Sequence, residues 1–212
     1  MRINLDGLIL RSLTRIFDVA AVTFYFILCC LPVFTIGAAV TAAYTTLIAL
    51  AGDSCTSVTR SYFDHFRNNF KQATQLWLPM ALIGAVVVAD IAICWGFGMG
   101  LTPVLAVMRG LTVFCTGLYL AMSIYLFTGI GIYHVSHKQA VTNALQWTMK
   151  KLPATALLLL IWAGMAAGVI LLWFAAVPLI GLGLYWQAKL LRKILELPEV
   201  VYAPVEEEIH YD

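Results

Sequence analysis

The sequence predicts an all-α protein, a polytopic transmembrane helix bundle of about six spans with surface helices on its cytoplasmic side. Of the 212 residues, 62% are hydrophobic and 11% are charged. Soluble domains carry about 25% charged residues, so this composition indicates an integral membrane protein. A stretch without any charged side chain also runs from Val19 to Gly52. One crossing helix needs about 20 apolar residues, and this stretch exceeds that length.

The composition also argues against several classes of function. The net charge of +2 is small, and no basic stripe with interleaved aromatics indicates binding to nucleic acid. No serine or cysteine nucleophile has a base at a recognisable spacing, and no HExxH motif occurs. His134 and His137 lack the further ligands that a metal site requires. We therefore expect no enzymatic activity, no metal and no cofactor.

The uncharged stretch contains a predicted turn at Pro32, Thr35 and Gly37. Proline lacks the N–H that a helix interior needs, so the chain is expected to turn or break at this point. Thr35 is expected to cap the following helix by accepting a hydrogen bond from a backbone N–H. Two readings of this turn remain open. A tight hairpin gives six spans in all, and re-entrant segments give four with the same sidedness.

The elements follow from the apolar runs and their boundaries. A short amphipathic helix that begins at Asn4 leads into the first span. The second span is rich in Gly, Ala and Thr, which let helix backbones approach closely, so we predict that it is an interior helix. The predicted spans run from about 17 to 31, 35 to 51, 76 to 97, 104 to 133, 152 to 175 and 178 to 191.

Two amphipathic segments separate these spans. In the first, residues 57–71, Tyr62, Phe66 and Phe70 recur at intervals of four, and basic side chains occupy the other faces. This pattern is typical of a helix that lies on the membrane surface, and a second such helix is predicted near 136–150. Residues 1–197 are expected to form a single membrane domain, and residues 198–212 an acidic cytoplasmic tail.

The distribution of Lys and Arg predicts the orientation. Three basic residues lie in each of the N-terminal segment, the loop at 52–73, the loop at 134–151 and the helix end at 189–193. The turns on the opposite side carry almost none. Because basic residues are retained in the cytoplasm, both termini are expected to lie inside a multi-pass protein of the cell membrane.

An internal similarity joins the two halves of the chain. Residues 69–79 align without gaps on residues 143–153, with Asn, Gln, Thr, Leu and Pro in common. The similarity indicates a parallel repeat around 35–100 and 104–175, or a coincidence of helix-start chemistry. The matched polar residues are expected to satisfy backbone groups at helix joints, and their symmetric placement leaves contact with a substrate as the alternative. They are Asn69, Gln72, Asn143 and Gln146.

Asp90 is the one carboxylate well inside a predicted span, and Arg109 lies at a similar predicted depth in the next span. Counting from the connecting loop at about 1.5 Å per residue places both roughly 10 Å from the membrane surface. Two readings follow from this placement. Asp90 and Arg109 form a structural ion pair, or Asp90 is a site for a proton or ligand, since charges inside a membrane are costly.

The residues around the turn and the first amphipathic segment carry a resemblance to a known family. Leu31-Pro32, Thr35-Ile36-Gly37-Ala38 and the aromatic stripe leading into residues 69–73 resemble the YesL-like bacterial membrane proteins, which share a domain of unknown function. The resemblance covers about residues 5–195, with Pro-x-x-Thr-x-Gly its most specific part. It implies a role near carbohydrate uptake and no established catalytic residues.

The function expected from these observations is that of a non-enzymatic accessory of a sugar transport system. Its expected partners are membrane lipid and either a sugar transport complex or further copies of the chain. The alternative is a small autonomous solute transporter or channel, which the helix breaks and the buried charge favour. The scarcity of polar residues to line a path argues against that alternative.

Overall fold

The computed structural model describes residues 5–55, 57–96, 103–133, 136–172 and 175–195, and within these ranges it contains helices and no strand. The prediction of an all-α helical bundle is therefore confirmed. A short 3-10 turn, Val33–Thr35, separates the first two α-helices. The α-helices are α1 (Leu5–Cys30), α2 (Ile36–Ala51), α3 (Val58–Gly96), α4 (Pro103–Tyr133), α5 (His137–Lys150), α6 (Leu152–Leu171) and α7 (Ala176–Ile194).

Five segments of the described chain are long and apolar enough to cross a membrane, judged by length and composition. They lie at Leu13–Cys30, at Val33–Ala51, and in α3, α4 and α6. The predicted sixth span, which corresponds to α7, is not among them. Three basic residues occupy the last two turns of α7 and shorten its apolar part: Lys189, Arg192 and Lys193.

The centre of the bundle is α2. Almost every residue from Gly37 to Leu50 is buried, and α1, α3, α4 and α7 all pack against this helix. Its small side chains permit these close approaches, and Gly131 of α4 lies directly against Thr41 and Thr45. The prediction that the second span is an interior helix is confirmed.

The turn before α2 lies where the sequence predicts it, but Thr35 acts differently from the prediction. Its side chain makes no capping bond to α2. The hydroxyl instead donates backward, to the carbonyl oxygen of Cys29 at 2.5 Å or of Pro32 at 2.6 Å. The backbone of Thr35 is helical rather than extended, which turns its side chain toward the end of α1. Thr35 thus stabilises the end of α1.

α3 differs most from the prediction. The proposed surface helix at 57–71 and the span at 76–97 are one helix of 39 residues that continues through Pro79. The aromatic stripe is not lipid-facing throughout. Tyr62 is fully buried and its ring lies 5.8 Å from that of Tyr25 on α1. The α1–α2 hairpin covers much of the apolar face that was predicted to lie in the membrane surface, and Phe63 stays 43% exposed.

The second amphipathic segment does form a separate helix, α5, close to the predicted bounds. Trp147 of α5 packs on α4, where its ring lies 6.3 Å from that of Tyr125 and beside Gly129. α6 begins directly after Lys151, with Pro153 in its first turn. The two segments aligned by the predicted repeat therefore differ, because 69–79 lies inside one helix and 143–153 contains a helix boundary.

Candidate functional site

The C-terminal half of α3 and the N-terminal half of α4 form an antiparallel hairpin, and its register fixes the positions of the charged residues. Tyr119 donates from its hydroxyl to the carbonyl oxygen of Met80 at 3.0 Å. Further along the pair, Thr112 of α4 lies opposite Asp90 of α3. Arg109 is three residues nearer to the start of α4 than Thr112, so it lies about one turn beyond Asp90.

Asp90 is bound by two neighbouring side chains. The hydroxyl of Thr112 donates to its Oδ2 at 2.8 Å. The thiol of Cys94, one turn later on α3, points to its Oδ1 at 3.8 Å. Sγ of Cys94 also lies 3.5 Å from Oγ1 of Thr112. The carboxylate is therefore held by neutral donors from both helices.

Asp90 accepts from Thr112, and the direct ion pair that the first reading of Asp90 and Arg109 requires stays a prediction. Arg109 donates from Nε to the carbonyl oxygen of Cys94 at 3.2 Å. Counting residues from the loop did not identify Thr112, which the contacts of the hairpin place opposite Asp90.

The polar cluster of Asp90, Cys94, Arg109 and Thr112 lies at the margin of the protein. Cys94 and Thr112 are buried, whereas Asp90 and Arg109 are partly exposed. The guanidinium carbon of Arg109 lies 5.8 Å from the centre of the Trp95 ring, a cation–π distance. Large exposed apolar side chains border the cluster: Val86, Ile93, Met108 and Leu111. The cluster thus combines two charges with a surface that is otherwise suited to lipid.

Sequence reasoning missed Thr112, and a double-mutant cycle tests its link to Asp90. We expect Asp90→Ala and Thr112→Val to show a coupling of about 1 kcal/mol in the free energy of unfolding, because hydrogen bonds between membrane helices contribute about that much. Thr116→Val is the matched control, since Thr116 donates to the carbonyl of Thr112 within its own helix. Equal coupling of both threonines to Asp90 would contradict the assignment.

The polar residues predicted at helix joints occupy different environments. Asn69 is 2% exposed, and its side-chain amide donates to the carbonyl oxygen of His65 at 3.0 Å, within α3. Gln72 and Asn143 are partly buried, and Gln146 is exposed. The bond made by Asn69 lies in the interior of α3, and the expected role of the four residues at helix joints stays a prediction.

A buried polar pair inside the bundle was also missed. The hydroxyl of Tyr44 on α2 donates to Oε1 of Gln187 on α7, and both side chains are almost completely buried. Nε2 of Gln187 is buried without a hydrogen-bond partner, as are the hydroxyls of Thr46, Tyr62 and Thr128. A glutamine inside a predicted span was the available signal, since a buried amide requires partners from another helix.

Metal binding finds no support in the described part of the chain. No group of three or more His, Cys, Asp or Glu residues is close enough there to hold an ion. His137 is exposed, and its Nε2 lies 2.9 Å from Oε1 of Gln75. His134 lies outside the described residues.

Comparison with known proteins gives one match. A family model described as "Protein of unknown function, DUF624" matches residues 19–91, which comprise the C-terminal part of α1, the turn, α2 and most of α3. This is about a third of the chain. It includes Asp90 but neither Arg109 nor Thr112. No curated protein and no solved structure matches the sequence.

Proposed function

We propose that the protein is a non-catalytic component of the cell membrane that acts by binding a partner within the bilayer. In keeping with the resemblance to YesL-like proteins, that partner belongs to a carbohydrate-uptake system. The observation that carries the proposal is the partly exposed polar cluster on the α3–α4 hairpin. The family match is to a domain of unknown function and therefore assigns no activity to the protein.

Charge at the edge of an apolar surface is the physical reason for expecting a partner. An ionised side chain in contact with lipid is costly, and proteins reduce this cost by pairing it or by turning it into the bundle. Asp90 and Arg109 are only partly buried by their own chain, with exposed apolar residues around them. A partner helix that offers polar groups at this depth would cover both charges and the apolar border together.

An autonomous solute transporter is the second candidate, and one observation favours it. Buried polar atoms without partners occur on four helices around the core: Thr46 on α2, Tyr62 on α3, Thr128 on α4 and Gln187 on α7. Unsatisfied polar groups of this kind mark places where water or a solute can bind. Against a continuous path, the residues that surround α2 are mostly small or aliphatic and closely packed.

Two experiments distinguish these candidates. The purified chain in liposomes should move no sugar by itself if it is an accessory, whereas a transporter should move solute alone. A photo-crosslinking amino acid that replaces Met108, beside the cluster, should capture one membrane protein in native membranes. The control places the same crosslinking amino acid at Leu160, an exposed position on α6. Solute flux in liposomes, or equal crosslinking from both positions, would contradict the proposal.

In the proposed orientation, both termini and the first, amphipathic part of α3, up to residue 71, lie in the cytoplasm. A membrane-impermeant thiol reagent applied to intact cells should not label Asp64→Cys or Asn143→Cys in a variant without native cysteines. Val104→Cys, exposed near the start of α4 at the far end of α3, should be labelled. External labelling at position 64 or 143 would overturn the orientation.

A further inference from the structure

A groove of about 390 Å³ lies between α1 and α7 on the outside of the bundle. Its walls are mostly apolar, and Gly181 forms part of the floor because it lies directly against Thr23. A Cβ at position 181 would overlap Oγ1 of Thr23, so any larger residue would push α1 and α7 apart. The apolar walls are formed by Ile16, Val19, Ala20, Pro178 and Leu182.

One end of the groove is polar and aromatic. It is bordered by Arg15, Tyr185 and Trp186, and the indole of Trp186 is 62% exposed. Trp and Tyr concentrate at the boundary between the apolar membrane interior and the headgroups. Arg15 forms an ion pair with Asp53, which neutralises its charge locally.

The polar end continues into a basic stripe on α7. At 100° per residue, Lys189 and Lys193 lie on the same face of the helix as Pro178, Leu182 and Trp186. Both lysines are exposed. Arg192 is directed inward instead, where its Nη1 donates to the carbonyl oxygen of Ala51 at 2.8 Å. Along this face of α7 the order is therefore apolar, aromatic and basic.

Among the described residues, the carboxylates near the groove leave this stripe positive. Asp53 is paired with Arg15. Asp18 lies on the face of α1 opposite to Ile16 and Ala20, since two residues along a helix point in nearly opposite directions. Within the described part of the chain, the two exposed lysines on α7 thus remain as charges at the open end of the groove.

We propose that this groove binds one anionic phospholipid, with an acyl chain between α1 and α7 and the headgroup against Lys189 and Lys193. Along the groove, the apolar walls would contact the acyl chain, the aromatic side chains would lie near the membrane interface, and the lysines would contact the headgroup. Neutral phospholipids share the acyl chain but offer no net charge to the lysines. An anionic headgroup gains attraction from each basic residue near the membrane surface.

The test uses the full chain purified in a zwitterionic detergent, with lipid binding followed by native mass spectrometry. The wild type should retain one phosphatidylglycerol in preference to phosphatidylcholine. Ala20→Phe should remove this binding, because Ala20 is an exposed wall residue and the ring would occupy the groove. Lys189→Gln with Lys193→Gln should lower the preference for phosphatidylglycerol by roughly thirtyfold.

Matched controls distinguish loss of the groove from the general effects of adding an aromatic ring or removing positive charge. Ala163→Phe adds the same ring at an exposed position on α6, and Lys138→Gln with Lys150→Gln removes the same charge from α5. Both should bind as the wild type does. Leu182→Trp provides a second way to fill the groove if Ala20→Phe fails to fold. Equal retention of the two lipids by the wild type, or full retention by both groove-filling variants, would overturn the proposal.

Discussion

Replacing Gly37 with leucine is expected to destabilise the protein by at least about 3 kcal/mol, an upper-range cost for overpacking. A Cβ at this position would lie 2.7 Å from Cβ of Trp77 and 2.8 Å from the carbonyl oxygen of Ala73. Neither atom is the end of a flexible side chain. The added group would therefore separate α2 from α3 and break the bond from Trp77 Nε1 to the carbonyl oxygen of Val33, 2.8 Å long.

The measurement is thermal unfolding in detergent together with the yield of folded protein. Gly110→Leu is the matched control, because a Cβ on Gly110 would meet no atom within 4 Å. Leucine also favours a helix over glycine, so this variant should be as stable as the wild type or slightly more stable. A melting temperature for Gly37→Leu equal to that of the control would contradict the close packing at the turn.

Removing the hydroxyl of Tyr44 is expected to cost about 1–3 kcal/mol, because a buried amide would lose its donor. Oε1 of Gln187 accepts from Tyr44, and Nε2 of the same side chain is already without a partner. Tyr44→Phe would therefore leave the whole amide of Gln187 unsatisfied inside the bundle. Tyr25→Phe is the control, since its bond to Thr59, 3.1 Å long, is exposed and water can replace it.

The double variant distinguishes this explanation from a general loss of packing. Tyr44→Phe combined with Gln187→Leu removes both polar partners, and such replacements are often nearly neutral. We therefore expect the double variant to be more stable than Tyr44→Phe alone, as measured by unfolding in detergent. A double variant that is less stable than either single variant would indicate that the two residues contribute independently.

Composition and local pattern determined the class of fold and the interior helix. The scarcity of charge and the long apolar runs predicted an all-α bundle, since only regular helices satisfy their backbone within such stretches. The small residues of α2 predicted its burial, because close helix contacts require small side chains whichever helices approach. The bounds of α4 and α5 followed from local signals as well.

Local signals failed where packing between helices decides the outcome. Leu78-Pro79 reads as a helix start, yet α3 continues through Pro79, because the flanking turns are held by contacts with neighbouring helices. The face of Tyr62 and Phe66 reads as a membrane surface, but the α1–α2 hairpin covers much of it. An apolar face requires burial, and its sequence does not specify which partner buries it.

The candidate sites depended even more on tertiary structure. The sequence identified Asp90 and Arg109 as unusual charges, because a charged residue within an apolar run can be recognised from the sequence alone. The register of the α3–α4 hairpin decided that Thr112 donates to the carboxylate of Asp90. The groove between α1 and α7 depends likewise on how two distant helices meet. Contacts between helices fix such a register or approach, and periodicity within one helix carries no information about either.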